Sequence, residues 1–127
     1  MREYIISFMK LITYERNSES YIGSVYEKEI TPFDADQSIP KDMLSFLEEG
    51  EGAMKKAQEL CNEKENRIPL SEVNLKAPIA RPPKIIAIGL NYSDHLEEVR
   101  AAGREMEKPK VPMIFNKQSL SANGPYS

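Results

Sequence analysis

Short runs of alternating apolar and polar residues, separated by polar turns, dominate the first part of the chain. The alternation predicts antiparallel strands over Lys10–Glu15 and Ser20–Tyr26, with a third short strand at about Glu29–Thr31. Polar residues at positions 17–19 mark the first turn. These runs predict a small antiparallel β-meander.

Two helical segments, each with one apolar side, follow the meander. The spacing predicts helices over Asp42–Glu48 and from Ala53 to about Glu63. The apolar positions that share a helix side are Met43, Leu44, Phe46 and Leu47 in the first segment, and Met54, Ala57, Leu60 and Cys61 in the second. We interpret both sides as parts of a hydrophobic core rather than as ligand contacts. Together with the meander, they predict an α+β fold.

A proline-rich connector comes next and cannot be helical, because each proline removes a backbone donor and fixes φ. Its prolines are Pro69, Pro78, Pro82 and Pro83. We place a domain boundary at about Ala80. The predicted organisation is an N-terminal extension over residues 1–8, a small domain over 9–80, and the beginning of a second domain over 81–127.

Composition and charge exclude several function classes. The chain has 127 residues, with 17 Lys and Arg against 20 Asp and Glu, and a net charge of −3. Without a basic cluster, the sequence disfavours nucleic acid as a partner. No apolar run reaches the ~20 residues that span a bilayer, so a membrane is disfavoured as well. The single cysteine cannot form an internal disulfide, which predicts a reducing, cytoplasmic location.

The second domain opens with a strand, a turn and a helix. Ile85–Ile88 is an unbroken apolar run, the pattern of a strand buried on both faces, and Gly89 ends it. Asp94 lies three residues before Glu97, an arrangement similar to a capping box. The sequence therefore predicts a helix that starts at about Asp94.

The first turn of that helix contains the only histidine of the chain, His95. Glu98 follows at i+3, so a carboxylate and an imidazole share one helix face. One group can take a proton while the other orients it, which is what a general base needs. The alternative for this pair is a solvated surface position. Glu97 competes for the acidic role, but its spacing from Asp94 suits the helix cap better.

Three segments in order resemble the fumarylacetoacetate hydrolase family. The sequence LKAPIARPPK over residues 75–84 resembles the entry into the family's catalytic domain, and GLNYSDH over 89–95 resembles its signature loop. A proline-flanked F-x-K strand and a Gly-Pro turn complete the match: Pro109, Pro112, Phe115, Lys117, Gly124 and Pro125. The resemblance implies that residues 81–127 begin a β-rich catalytic domain.

The resemblance also implies an activity and roles for residues. Family members act on small 2-oxo acids and 1,3-dicarbonyl compounds by C–C hydrolysis, decarboxylation or isomerisation. They include acylpyruvases and isomerases of 2-hydroxyhepta-2,4-diene-1,7-dioate from aromatic catabolism. By resemblance His95 and Glu98 are the catalytic pair, and Lys117 meets a substrate carboxylate. A homodimer is implied for the full-length protein.

A divalent cation, Mg²⁺ or Mn²⁺, is the cofactor that the resemblance implies. In the family its carboxylate ligands follow the Gly-Pro turn, so they are expected beyond residue 127. The E-x-E triplets of the N-terminal part are interpreted as solvated charge: Glu27/Glu29, Glu49/Glu51 and Glu63/Glu65. No metal ligand is assigned in this chain.

Two alternatives to an enzyme part remain open. The chain could be a catalytically silent, truncated product that contributes only packing or dimer contacts. A small-ligand or phosphate site at Gly89 is a third hypothesis. A single glycine disfavours that site, since phosphate-binding loops need several.

Overall fold

The fold was obtained as a computed structural model that describes residues 9–91, 93–103 and 110–125, without the side chains of residues 93–95. Contacts divide these residues into two units, one of 9–80 with 122–125 and one of 81–121. Both helices and antiparallel strands are present, which confirms the predicted α+β fold. The predicted extension over residues 1–8 lies outside the described residues.

The first unit contains a five-stranded sheet in which every neighbouring pair is antiparallel, in the order β4-β3-β2-β1-β5. Its strands are β1 (Lys10–Arg16), β2 (Glu19–Tyr26), β3 (Glu29–Pro32), β4 (Ile68–Pro69) and β5 (Asn74–Leu75). The first three strands are the predicted meander. The last two are short pairings made by the proline-rich connector, which adds one strand to each edge.

Two helices follow the meander, α1 (Met43–Glu49) and α2 (Glu51–Glu63). The Asp42 carboxylate accepts the Ser45 backbone N–H at 3.0 Å and caps the start of α1. Gly50, with φ +73°, makes the break between the helices. No helix in the described ranges is long and apolar enough to cross a bilayer.

A hydrophobic core joins the sheet to both helices. Its buried members are Ile22, Phe33, Ile39, Met43, Phe46, Ala53 and Ala57. Met54, Leu60 and Cys61 are partly buried against this cluster, as their shared helix side predicts. Leu44 and Leu47 are exposed instead. A helix of only two turns buries one narrow stripe here, which Met43 and Phe46 fill.

The connector is fixed along β1. The Thr13 carbonyl accepts the Lys76 N–H at 2.9 Å, and the Thr13 hydroxyl donates to the Pro78 carbonyl at 2.6 Å. A Cβ on Gly124 would lie 2.9 Å from the Leu75 carbonyl oxygen, so only glycine permits this approach. Residues 122–125 therefore belong to the first unit, whereas the sequence placed all of 81–127 in the second. The domain boundaries themselves stay a prediction.

The second unit contains a two-stranded antiparallel sheet, β6 (Ile85–Gly89) with β7 (Met113–Lys117), and helix α3 (Ser93–Ala101). The prediction that β6 is buried on both faces is wrong, because Ile86 and Ile88 are 60% and 54% exposed. Alternate residues of a strand face opposite sides of its sheet. No second layer of described residues covers the side that bears these two isoleucines.

Candidate functional site

The turn between β6 and α3 determines where the predicted catalytic residues lie. Leu90 has φ +54°, in the left-handed region that a branched side chain rarely adopts. Gly89 before it has no positive φ, and a Cβ added there would be in ordinary contact with Phe115, at 3.4 Å. The turn therefore depends on Leu90, and not on the glycine that marks it in the sequence.

Helix α3 begins at Ser93, one residue before the predicted start. This agrees with the predicted start at about Asp94, and the capping box of Asp94 and Glu97 stays a prediction. The backbone of His95 lies in that first turn, and its side chain lies outside the description. At the other end, Gly103 with φ +78° donates its N–H to the Arg100 carbonyl at 2.9 Å.

Helix geometry separates the two candidate acids. At roughly 100° per residue, positions 95 and 98 lie roughly 60° apart around the axis, whereas position 97 is roughly 160° from 95. Leu96 is only 5% exposed and defines the buried side of α3. Positions 95 and 98 are roughly 100° and 160° from it. Position 98 therefore lies away from the buried side, and Glu98 is exposed.

Lys117, the predicted substrate-binding cation, is the last residue of β7 and is exposed. In the ladder it is opposite Ile85, while Met113 is opposite Gly89 at the end where the turn to α3 begins. Four residues of strand, about 13 Å, separate Met113 from Lys117. Lys117 therefore lies at the far end of the ladder from the turn, and its role stays a prediction.

The described residues do not fit a metal centre. No three His, Cys, Asp or Glu side chains gather anywhere in ranges 9–91, 93–103 and 110–125, with residues 93–95 considered by backbone only. Glu29 instead pairs with Arg67 at 3.1 Å, and Glu49 lies 3.9 Å from Lys56.

Sequence reasoning missed a cavity of about 260 Å³ beside the Leu90 turn. Its walls include Leu90, Asn91, Lys110, Val111 and Met113. The sequence shows Lys110 only as a lysine among prolines. Its approach to Asn91 depends on the pairing of Gly89 with Met113, which no local pattern reveals.

A second cavity, of about 650 Å³, lies in the first unit and is bordered by Lys28, Leu70 and Lys76. No predicted site residue lines it. Lys76 is engaged by Glu15 at 3.1 Å. The cavity therefore adds nothing to the predicted site.

Comparison with known proteins identifies several relatives, although no family model matches the chain. Oxaloacetate tautomerase Fahd2a, mitochondrial, from Rattus norvegicus is 43% identical over 91 residues, which are 72% of this chain and 28% of that protein. The Homo sapiens oxaloacetate tautomerase FAHD2A, mitochondrial, is 38% identical over 72% of this chain and 27% of its own length.

A relative from Dictyostelium discoideum matches more of the chain. It is a fumarylacetoacetate hydrolase domain-containing protein 2 homolog, 38% identical over 123 residues, or 92% of this chain and 38% of that protein. The chain thus spans between about a quarter and two fifths of the length of these relatives. The predicted cytoplasmic location is wrong, because the rat and human relatives are both named as mitochondrial proteins.

Proposed function

This chain belongs to the fumarylacetoacetate hydrolase family, and from that premise we propose that the full-length protein interconverts the keto and enol tautomers of a small 2-oxo acid. The observation that carries the proposal is the identity of 38–43% to relatives named oxaloacetate tautomerase. Oxaloacetate is therefore the first substrate to test. Hydrolysis and decarboxylation of related oxo acids are the competing reactions within the family.

The chemistry needs one proton to leave the carbon beside the carbonyl and one to reach the carbonyl oxygen, with no change of oxidation state. We assign the carbon proton to His95, because an imidazole can both accept and donate a proton near neutral pH. Glu98 is the partner that orients it, supported by the shared face of α3. Lys117 remains the predicted cation for the carboxylate next to the carbonyl.

A divalent metal, Mg²⁺ or Mn²⁺, stays part of the proposal for the full-length protein. When bound, such an ion stabilises negative charge on adjacent substrate oxygens. Its ligands are proposed outside the described residues, because those residues offer no carboxylate cluster. The homodimer is likewise a proposal.

The test is an assay of the full-length protein with Mg²⁺ or Mn²⁺ on the enol form of oxaloacetate, followed by the loss of its ultraviolet absorbance. His95→Ala and Glu98→Gln should each lower kcat by roughly 10²–10⁴-fold. Glu97→Gln is the matched control and should change kcat far less, because position 97 is on a different side of α3. The double variant should be little worse than either single one.

Two results would overturn parts of this proposal. Ketonisation no faster than the uncatalysed reaction, together with cleavage of acylpyruvates, would replace the tautomerase with a hydrolase. Inactivation by Glu97→Gln, with little effect of Glu98→Gln, would reject the assignment of the pair while leaving the reaction in place.

A second candidate, packing or dimer contacts without catalysis, is supported by one observation. Ile86, Ile88 and Ile114 form an exposed apolar side of the β6–β7 sheet. If this side pairs two copies, the 127-residue chain should sediment as a dimer, and Ile88→Lys should return it to the monomer. Leu47→Lys, at an exposed position of α1, is the matched control. A monomer at all concentrations would reject this candidate.

A further inference from the structure

A leucine in a left-handed turn is an unusual choice, since glycine adopts that conformation at less cost. Leu90 has φ +54°, and it is half-buried rather than turned out into solvent. Strained residues of this kind persist where the surroundings use them, and they concentrate at ligand-binding and catalytic sites. Leu90 lines the 260 Å³ cavity, and a ligand site there would account for its conformation.

The size of this cavity suits a small ligand. Pockets for drug-sized ligands start at about 300 Å³, so this one is smaller. A compact acid with a short carbon chain is the class that fits.

The walls of the cavity combine one cation with apolar surface. Lys110 supplies the positive charge, Asn91 supplies an amide, and Leu90, Val111 and Met113 supply apolar atoms. None of the described residues that line it is acidic. This combination recognises a carboxylate at the end of a short hydrocarbon chain.

The position of the cavity also relates it to the proposed catalytic pair. It lies at the Gly89–Met113 end of the ladder, and Asn91 precedes His95 by only four residues. Lys117 lies about 13 Å of strand away, at the opposite end. Lys110 is therefore the cation at the end of the ladder where the turn to α3 begins.

We propose that this cavity binds the carboxylate remote from the reacting carbonyl of a dicarboxylic 2-oxo acid, with Lys110 as its cation and Leu90 as the apolar wall that limits chain length. The assignment rests on the proposed function for its reacting centre. The binding step itself needs no turnover. Leu90 and Lys110 are thus specificity-determining residues, outside the predicted set of His95, Glu98 and Lys117.

The test compares the binding of succinate and butanoate to the full-length protein by calorimetry or NMR titration. The two probes have the same number of carbons and differ by one terminal carboxylate. Wild-type protein should bind succinate at least about 10-fold more tightly. Lys110→Met should remove this preference, a loss of roughly 10–100-fold for succinate with little change for butanoate. Lys110→Arg should restore part of it, and Lys84→Met, a matched exposed lysine, should leave both probes unchanged.

Leu90→Gly provides the second arm. It should improve the binding of adipate relative to succinate by roughly 10-fold, because the wall that limits chain length is gone. It should not lower the thermal stability, because glycine accepts the positive φ. A lower stability with unchanged selectivity would mean that Leu90 is only structural and would overturn its assigned role.

The outcomes separate this inference from the proposed function. Succinate preference that survives Lys110→Met, or no succinate preference in wild-type protein, overturns the inference even if oxaloacetate is tautomerised. Succinate preference that depends on Lys110 in a protein that does not tautomerise oxaloacetate keeps the site and rejects the reaction.

Discussion

Ile30 in β3 and Ile86 in β6 are both isoleucines in antiparallel sheets of this chain, but they differ in how far their side chains are exposed to solvent. Ile30 is fully buried, whereas Ile86 is 60% exposed. The first unit has two helices that share a core with a five-stranded sheet, and the second has two strands and one short helix. An apolar side chain is buried by a second layer, and strand pairing alone does not supply one.

This contrast has a consequence for the candidate site. The first unit has a clustered core, which includes Phe33 and Phe46 with ring centroids 5.3 Å apart. The proposed catalytic pair and the small cavity belong to the second unit. Among the described residues of 81–121, one apolar residue is buried, Leu96 on α3. Among the described residues, the proposed site therefore lies in the unit with fewer buried apolar side chains.

The largest expected difference between the units is in the free energy of unfolding that a phenylalanine-to-alanine substitution removes from each. Phe46→Ala should lower the free energy of unfolding of the 127-residue chain by about 3–5 kcal/mol, because it empties a fully buried position. Phe115→Ala, where the phenylalanine is 44% exposed, should cost roughly 1 kcal/mol or less. Urea unfolding followed by circular dichroism measures both. An equal loss of unfolding free energy in the two variants would mean that Phe115 in β7 is as well buried as Phe46 in α1, and would contradict the difference between the units.

A smaller difference is expected at two glycines in the two sheets. A Cβ on Gly23 of β2 would lie 2.6 Å from the Thr31 carbonyl oxygen, so the strands must separate. Gly23→Ala should therefore cost about 1–3 kcal/mol, as other overpacking changes do. Gly89→Ala places its Cβ 3.4 Å from Phe115 Cε1, an ordinary contact, and should change stability by less than about 1 kcal/mol. Thermal unfolding of both variants makes the comparison, and a more harmful Gly89→Ala would show that the second sheet is the tighter one.

Local sequence signals were sufficient where local chemistry decides the structure. The alternation of β1 and β2 and the polar turn between them predicted a hairpin, and Asn17 and Ser18 adopt the positive φ values of 52° and 64° that such tight turns need. The helix predicted over Asp42–Glu48 was equally visible from the spacing of its apolar residues, and the structure adds the cap that the Asp42 carboxylate makes with the Ser45 N–H.

Features set by distant parts of the chain were not visible. The two-residue strands β4 and β5 have no period to detect, and they form only because the connector meets β3 and β1. The apolar run of β6 could not show that one of its sides lacks a covering layer. At the site, the shared face of positions 95 and 98 could be predicted, because residues three apart are neighbours in any α-helix. That Lys110 and Leu90 line one cavity could not be predicted, because it depends on the pairing of Gly89 with Met113.

The smallest expected difference concerns the two aspartates that the sequence placed at helix starts. Asp42→Ala should cost about 1 kcal/mol, because it removes the cap that accepts the Ser45 N–H. Asp94→Ala should cost less, only a few tenths of a kcal/mol, because position 94 lies in the first turn of α3, where a negative charge interacts favourably with the helix dipole.

The charge of Asp42 gives this last comparison a pH dependence. The hydrogen bond from the Ser45 backbone N–H lowers the pKa of the Asp42 carboxyl in the folded chain. Its stabilisation is therefore present above the unfolded pKa of about 3.9 and is lost as the pH falls through the lower folded value. Asp42→Asn keeps an acceptor oxygen but does not titrate, so the advantage of wild-type chain over this variant should shrink below about pH 4. Urea unfolding of both proteins at several pH values measures it. An advantage that grew on acidification would mean that Asp42 is protonated more readily in the folded chain, and that its cap does not favour the charged form.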